Sequence, residues 1–158
     1  MSVECNPRMQ MGATLSVTID GVGTQQFVLS EYDRTSPKYS STTTPPITKI
    51  GMDELAMTGS AVTLDLTAVP NQVEGAQTFS GLKIVAALFQ NPNAAAITVD
   101  IGGSNGYAIN GADAIIIPAG GTVMLDFANS LSDVDGTHKT LDITGTNLHV
   151  LNYILVAG

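Results

Sequence analysis

The chain has no tryptophan, a single cysteine and little charge of either sign, and each shortage removes a class of protein. Cys5 has no partner within the chain, so no intramolecular disulfide forms and the fold does not depend on an oxidising compartment. Six cations, Arg8, Arg34, Lys38, Lys49, Lys83 and Lys139, are scattered against fourteen acids, for a net charge of −8. A nucleic-acid binder needs a clustered basic patch to displace counterions from phosphates, and an anionic membrane surface asks for the same. Neither partner is expected. The longest apolar stretches, 84–89 and 115–118, fall far short of the roughly 20 residues that cross a bilayer. Met1 to Met11 lacks the apolar segment of a signal peptide, which predicts a protein made and folded in the cytoplasm. Aromatic residues are 5% of the chain, which disfavours a sugar-stacking surface.

What replaces the missing charge is Ser, Thr, Asn and Gly. Charged residues are 13% of the chain, about half the share usual in globular domains. Short uncharged polar side chains cost little entropy to order, and they suit strands and repeated packing against neighbours. Residues 1–11 show no periodicity and read as an extended arm, followed by one domain over 12–158. Leu15, Val17 and Ile19 alternate with Ser16 and Thr18. Asp20-Gly21-Val22-Gly23 then turns the chain towards Phe27 and Leu29, which predicts a hairpin. Residues 32–46, rich in Ser, Thr and Pro, read as a long loop. Residues 47–57 fit either a strand or a short helical turn. Val62, Leu64 and Leu66 alternate again. The segment 79–90 is apolar in both registers, as a strand buried on both faces would be; Ala and Leu also suit a helix, while Gly81 before it and Asn91-Pro92-Asn93 after it favour the strand. Shorter alternations follow at 97–101, 115–117, 123–127 and 141–143, with turn signals at Asn110-Gly111, 118–121 and Asp135-Gly136. The last strand, 148–157, is again apolar in both registers. Eight to ten short strands at regular spacing predict an all-β antiparallel sandwich or barrel.

No arrangement of residues matches a catalytic site, and no cofactor is expected. His138 and His149 lack metal-ligand spacing. Ser104 in GGSNG, residues 102–106, misses the nucleophile-elbow pattern, and its glycines read as serving a turn that needs positive φ. Asp133 and Asp135 form a fragment of a calcium loop without the third acid or the closing glutamate, while Asp135-Gly136 suffices as a turn. Tyr32 and Tyr39 are the candidate partner-contact residues, since tyrosine offers large contact area at modest entropy cost. A strand apolar on both faces needs a second cover, and a neighbouring copy supplies it. This predicts a homo-oligomer with Leu151, Tyr153 and Leu155 of the last strand at the interface.

The order FSGLKIVAALFQNPNAAAITVDIGGSNG, ADAIIIPAGGTVMLDF and TLDITGTNLHVLNYILVAG resembles small virion proteins of tailed phages over roughly residues 60–158, with the IPAGG turn at 117–121 its most specific piece. That resemblance implies a jelly-roll-like sandwich and a non-enzymatic structural role in a phage or virus particle, capsid-associated or decorating the head. It also implies a trimer, a place in the virion after synthesis in the host cytoplasm, and contact with other virion proteins such as a major capsid protein. Acidity suits an outward-facing position. The alternative is a receptor- or glycan-binding module such as a fibre tip.

Overall fold

The computed structural model describes residues 4–5, 8–19, 23–35, 39–40, 46–72, 75–127 and 130–158, and the side chains from Pro46 onward within these ranges. The chain divides into two compact units, Cys5–Lys38 and the remainder. The small unit carries a long antiparallel hairpin of β2 (Arg8–Ile19) and β3 (Gly23–Thr35). Its register runs from Ile19 opposite Gly23 to Arg8 opposite Thr35, with a bulge after Ala13. The expected hairpin is present, and it is longer than its sequence signals. Residues 8–11, read as arm, pair with 32–35, read as loop: Met9 and Met11 continue the two-residue alternation opposite Arg34 and Tyr32. Two short strands, β1 (Glu4–Cys5) and β4 (Tyr39–Ser40), pair with each other.

The larger unit is an all-β sandwich. Its strands are β5 (Lys49–Ala56), β6 (Ala61–Asp65), β7 (Ile84–Gln90), β8 (Ile97–Ile101), β9 (Ile109–Ala112), β10 (Ile115–Ile117), β11 (Thr122–Asp126), β12 (Thr140–Thr144) and β13 (Val150–Ala157). Residues 47–57 resolve as strand β5. One sheet has the order β11-β7-β13-β5 and the other β10-β8-β12-β6, with all pairings antiparallel. β5 pairs with β13, β6 with β12, β7 with β11 and β8 with β10. The path is therefore one long hairpin, its tip between β8 and β10, rolled up so that its arms alternate between two sheets. This is the strand order of a jelly roll.

The core fills the space between the sheets. β13 and β7 contribute Leu151, Tyr153, Leu155, Ala87 and Phe89, and the facing sheet contributes Leu64, Ile97, Val99, Ile117, Leu141 and Ile143. All are at most 3% exposed, so hydrophobic burial is continuous across the sandwich. On β5, a methyl at Gly51 would overlap the Val69 side chain and come within 3.2 Å of Phe79, so glycine lets the 66–83 connection pack flat on the sheet. That connection also covers the free edge of β5: Asn71 Nδ2 donates to Ile50 O at 2.9 Å and Gln72 N–H to Met52 O at 3.1 Å. At the same end as β7 begins, buried Tyr107 accepts from Ile84 N–H at 3.1 Å and donates to Ser132 O at 2.8 Å. Burial pushes its phenol pKa up to about 12.

Asn91, wholly buried, is the one buried polar residue among the described residues. It sits just past β7 and closes the opposite end of the sandwich. Its Nδ2 donates to Ala95 O at 2.8 Å and to Ile117 O and Pro118 O, both at 3.0 Å. Its Oδ1 accepts from Asn93 N–H and Asn93 Nδ2 at 3.0 and 2.7 Å. Asn93 in turn exchanges hydrogen bonds with the backbone of Val150. One side chain thus joins the end of β7, the approach to β8, the β10–β11 turn and the start of β13. Asn91→Ala leaves several of these groups unpaired in the interior and is expected to cost roughly 2–4 kcal/mol, about 5–15 °C in Tm for a chain of this size. Asn91→Asp, which removes the donors and buries a charge, is expected to cost more. Thermal unfolding followed by circular dichroism checks both. A loss below about 1 kcal/mol for both variants would show that the network is not what closes this end.

Candidate functional site: the outer face of one sheet

The residues singled out in the sequence fall in different places. Asp135 is engaged by its own loop: its Oδ1 accepts from Thr137 N–H at 2.6 Å, Thr137 Oγ–H at 2.8 Å and His138 N–H at 2.8 Å, with His138 Nδ1 at 3.2 Å. The Thr137 and His138 hydrogen bonds hold its carboxyl well below the usual carboxylate range. Asp133 faces away into an ion pair with Lys83 at 3.8 Å. The two acids are not brought together, and among the described residues no group of three or more His, Cys, Asp or Glu is positioned to hold a metal. His149 precedes β13 instead of lying within it, and its Nδ1 accepts from Thr146 N–H at 3.4 Å. In GGSNG the glycines act mainly through close approach. A methyl at Gly102 would overlap Thr140 and one at Gly106 would overlap Ile101, whereas only Gly103 has a positive φ, of 21°. Tyr32 lies in β3 and Tyr39 in β4, so neither is in a loop; their side chains lie outside the described residues.

The expected interface residues require a correction. Leu151, Tyr153 and Leu155 are at most 2% exposed and belong to the core, and Tyr153 donates its hydroxyl to Pro70 O at 2.8 Å. Burial, and then the nearby Asp53 carboxylate, raise its pKa. No partner can reach this register in the folded chain. The outward register of β13 is Val150, Asn152, Ile154 and Val156.

That register lies in rows that cross all four strands. Ile154 is paired with Met52 on one side and Leu88 on the other, and Leu88 with Met124. The result is one unbroken apolar row of Met52, Ile154, Leu88 and Met124 on the outside of the sheet. Met52 is 38% exposed and Ile154 36%, while Leu88 and Met124 are half-buried. Beside it runs a polar row of Glu54, Asn152, Gln90 and Thr122, in which Asn152 Nδ2 donates to Gln90 Oε1 at 3.2 Å. A shallow depression of about 330 Å³ lies over these two rows, with Gln72 at its rim. Its lining is aliphatic, thioether and amide, with Tyr153 and the acids Asp53 and Glu54 on the β5 side, so apolar contact by shape and desolvation is bordered there by negative charge. The sequence held a signal for this face. In β13 the polar Asn152, and in β7 the polar Gln90, each mark the outward register of a strand that is otherwise apolar on both sides.

The occupied carboxylate of Asp135 makes a direct prediction. Calcium in excess, or a chelator, is expected to leave the melting temperature unchanged. Asp135→Asn, which keeps Oδ1 as an acceptor, is expected to perturb the 135–138 loop less than Asp135→Ala. A carboxylate with a depressed folded pKa stabilises above its unfolded value, near 3.9, and loses that contribution as pH falls through this range towards the folded value. The protection factors of the Thr137 and His138 amides, taken against their intrinsic exchange rates, should therefore fall on acidification, and be low in the Ala variant at all pH values. A calcium-dependent rise in Tm would instead assign the loop to a metal.

Comparison with protein families, with curated proteins and with solved structures finds no match to this chain.

Proposed function

We propose that this chain is a non-enzymatic structural protein of a phage or virus particle, capsid-associated or decorating the head, which assembles as a homotrimer and contacts other virion proteins. The observation that carries the reading is the transverse row of Met52, Ile154, Leu88 and Met124 on one face of an eight-stranded jelly roll. Jelly rolls serve as capsid, lectin and cupin domains, so the architecture narrows the role without deciding it. The chemistry of the exposed face supports the first of these. It is broad and shallow, with an apolar row edged by amides and by the acids Asp53 and Glu54, which suits contact between proteins. The low charge and the many Ser, Thr and Asn residues support close packing against neighbours in the same way. The order of segments over residues 60–158, with its IPAGG turn, supports the virion setting.

The face makes the reading testable. Light scattering at micromolar concentration is expected to give three times the 16.3 kDa chain mass. Ile154→Asp places a charge in the middle of the apolar row and is expected to dissociate the assembly while leaving Tm within a few degrees of wild type. Leu151→Asp, which buries a charge in the core, is expected to unfold the domain instead. In gradients, the chain is expected to co-sediment with assembled particles. A wild-type mass near 16.3 kDa, with binding on a glycan array or to host cells, would replace this reading with a receptor-binding module.

A further inference from the structure

In the rolled hairpin the β5–β6, β7–β8, β10–β11 and β12–β13 connections all emerge at one end of the sandwich. They comprise residues 57–60, 91–96, 118–121 and 145–149. None of these residues is Asp, Glu, Lys or Arg, nor is any residue in the longer windows 55–64, 84–99, 114–125 and 143–158 that contain them. In a chain carrying −8, a whole end of the sandwich is built without formal charge. The acids of the sandwich fall elsewhere, for example Asp65, Asp100 and Asp142 on the other sheet and Asp133 and Asp135 at the opposite end.

The loops of this end are also hydrogen-bonded to one another, and they present apolar groups. Gly59 N–H donates to Asn147 Oδ1 at 2.8 Å, Gly145 N–H to Ser60 O at 2.9 Å and Leu148 N–H to Met57 O at 3.2 Å. The Asn91 and Asn93 bonds tie the 91–96 and 118–121 loops to each other and to β13. From this pinned set Ala94, Ala95, Pro118 and Ala119 are exposed, and Leu148 projects furthest, at 78% exposed. Leu148 has φ of 65°, the one left-handed non-glycine residue among those described. A leucine is unfavourable there on two counts: its Cβ is strained in that conformation, and its side chain is left in water. Asn, Asp or Gly would relieve both.

We infer that this loop end is a contact surface between copies of this chain, with Leu148 at its centre and the copies converging on a symmetry axis. The occupant is a second copy because of the charge distribution. Around a rotation axis identical residues meet each other, so any formal charge near the axis meets its own kind. Two chains of net −8 repel over most of their surfaces, and the uncharged end lets them approach without placing like charges together. Contact also removes Leu148 from water, which accounts for a leucine at a position that otherwise disfavours it. The inference deepens the self-association reading and rests on it.

The test compares wild type with Leu148→Asp, Leu148→Lys, Ala95→Asp and, at the opposite end, Ser104→Asp, by sedimentation velocity over a concentration series at low salt. Leu148→Asp and Ala95→Asp are expected to weaken association by about tenfold or more, and Ser104→Asp to leave it unchanged. Mixing Leu148→Asp with Leu148→Lys is expected to restore association, which only contact between copies at this residue can do. Since Asp tolerates a left-handed backbone better than Leu, the Tm of Leu148→Asp is expected to match or exceed that of wild type, separating loss of contact from loss of fold. A Leu148→Asp protein that assembles with wild-type affinity overturns the loop-end contact and leaves self-association through the sheet face standing. A wild-type monomer overturns both.

Discussion

A sandwich whose strands alternate between two sheets must close its ends with loops, and at one end here the closure depends on a single buried amide. Asn91 has the geometry for this because a carboxamide offers two donors and an acceptor from one small planar group. Ile117 and Pro118 belong to the path of one sheet, β7 to the other, and the side chain bonds across the gap between them. Hydrophobic contact between the sheets is non-directional and would tolerate sliding. The amide network is directional, so it fixes where the β7–β8 and β10–β11 connections sit. Through Asn93 it fixes the start of β13 as well. The 91–96 and 118–121 loops of the uncharged end are placed by that constraint.

Much of this architecture was legible in the residues. Two-residue alternation located most of the strands, and the turn signals at Asn110-Gly111 and 118–121 fell where the chain reverses. Asp113 N–H donates to Asn110 O at 3.3 Å and Gly121 N–H to Pro118 O at 2.9 Å. The two strands apolar in both registers, β7 and β13, prove to be adjacent central strands of the same sheet. Their composition therefore reported position in the sheet as well as the need for cover. The need for a second cover on a strand apolar on both faces does not say which register faces out, and Leu151, Tyr153 and Leu155, expected at an interface, lie in the core. The physical criterion points the other way. The set without an amide belongs inside, and the set interrupted by Asn152 belongs outside.

Other features were not legible, and for identifiable reasons. Asn91-Pro92-Asn93 reads locally as a turn, and its role in joining four segments depends on residues up to 57 positions distant. The GGSNG glycines suggest backbone freedom, whereas Gly102 is required by Thr140, an approach that exists only once β12 has paired with β8, and Gly106 by the close return of the turn onto Ile101 and Gly102. Leu148 carries no signal at all: a leucine ahead of an apolar strand reads as the first residue of that strand. The left-handed turn at Leu148 is imposed by bonds to the 57–60 segment. For Asn91, Gly102 and Leu148 the deciding contacts come from segments distant in the chain.

The distribution of charge gives the molecule a direction. On the outer face of the β10-β8-β12-β6 sheet, Asp142 sits directly opposite Asp100 and opposite Thr63, and Asp65 lies opposite Thr140. Like charges facing across strands oppose folding. Here the cost is reduced by hydrogen bonds to the carboxylates: Thr63 Oγ–H and Gly103 N–H to Asp142, Ile101 N–H to Asp100, and Thr67 to Asp65. The Thr67 hydrogen bond, with a smaller contribution from Lys139, keeps the Asp65 carboxyl below its ordinary range. Such a face is acidic, with exposed Ile116 on its β10 edge, and a second acidic copy meets like charge there. The opposite sheet carries its apolar row with Glu54 and Asp126 at the margins, and the loop end carries no charge. Desolvation is therefore inexpensive on one side of the sandwich and costly on the other. In the proposed assembly, burial of the inexpensive side would leave the acidic sheet outward.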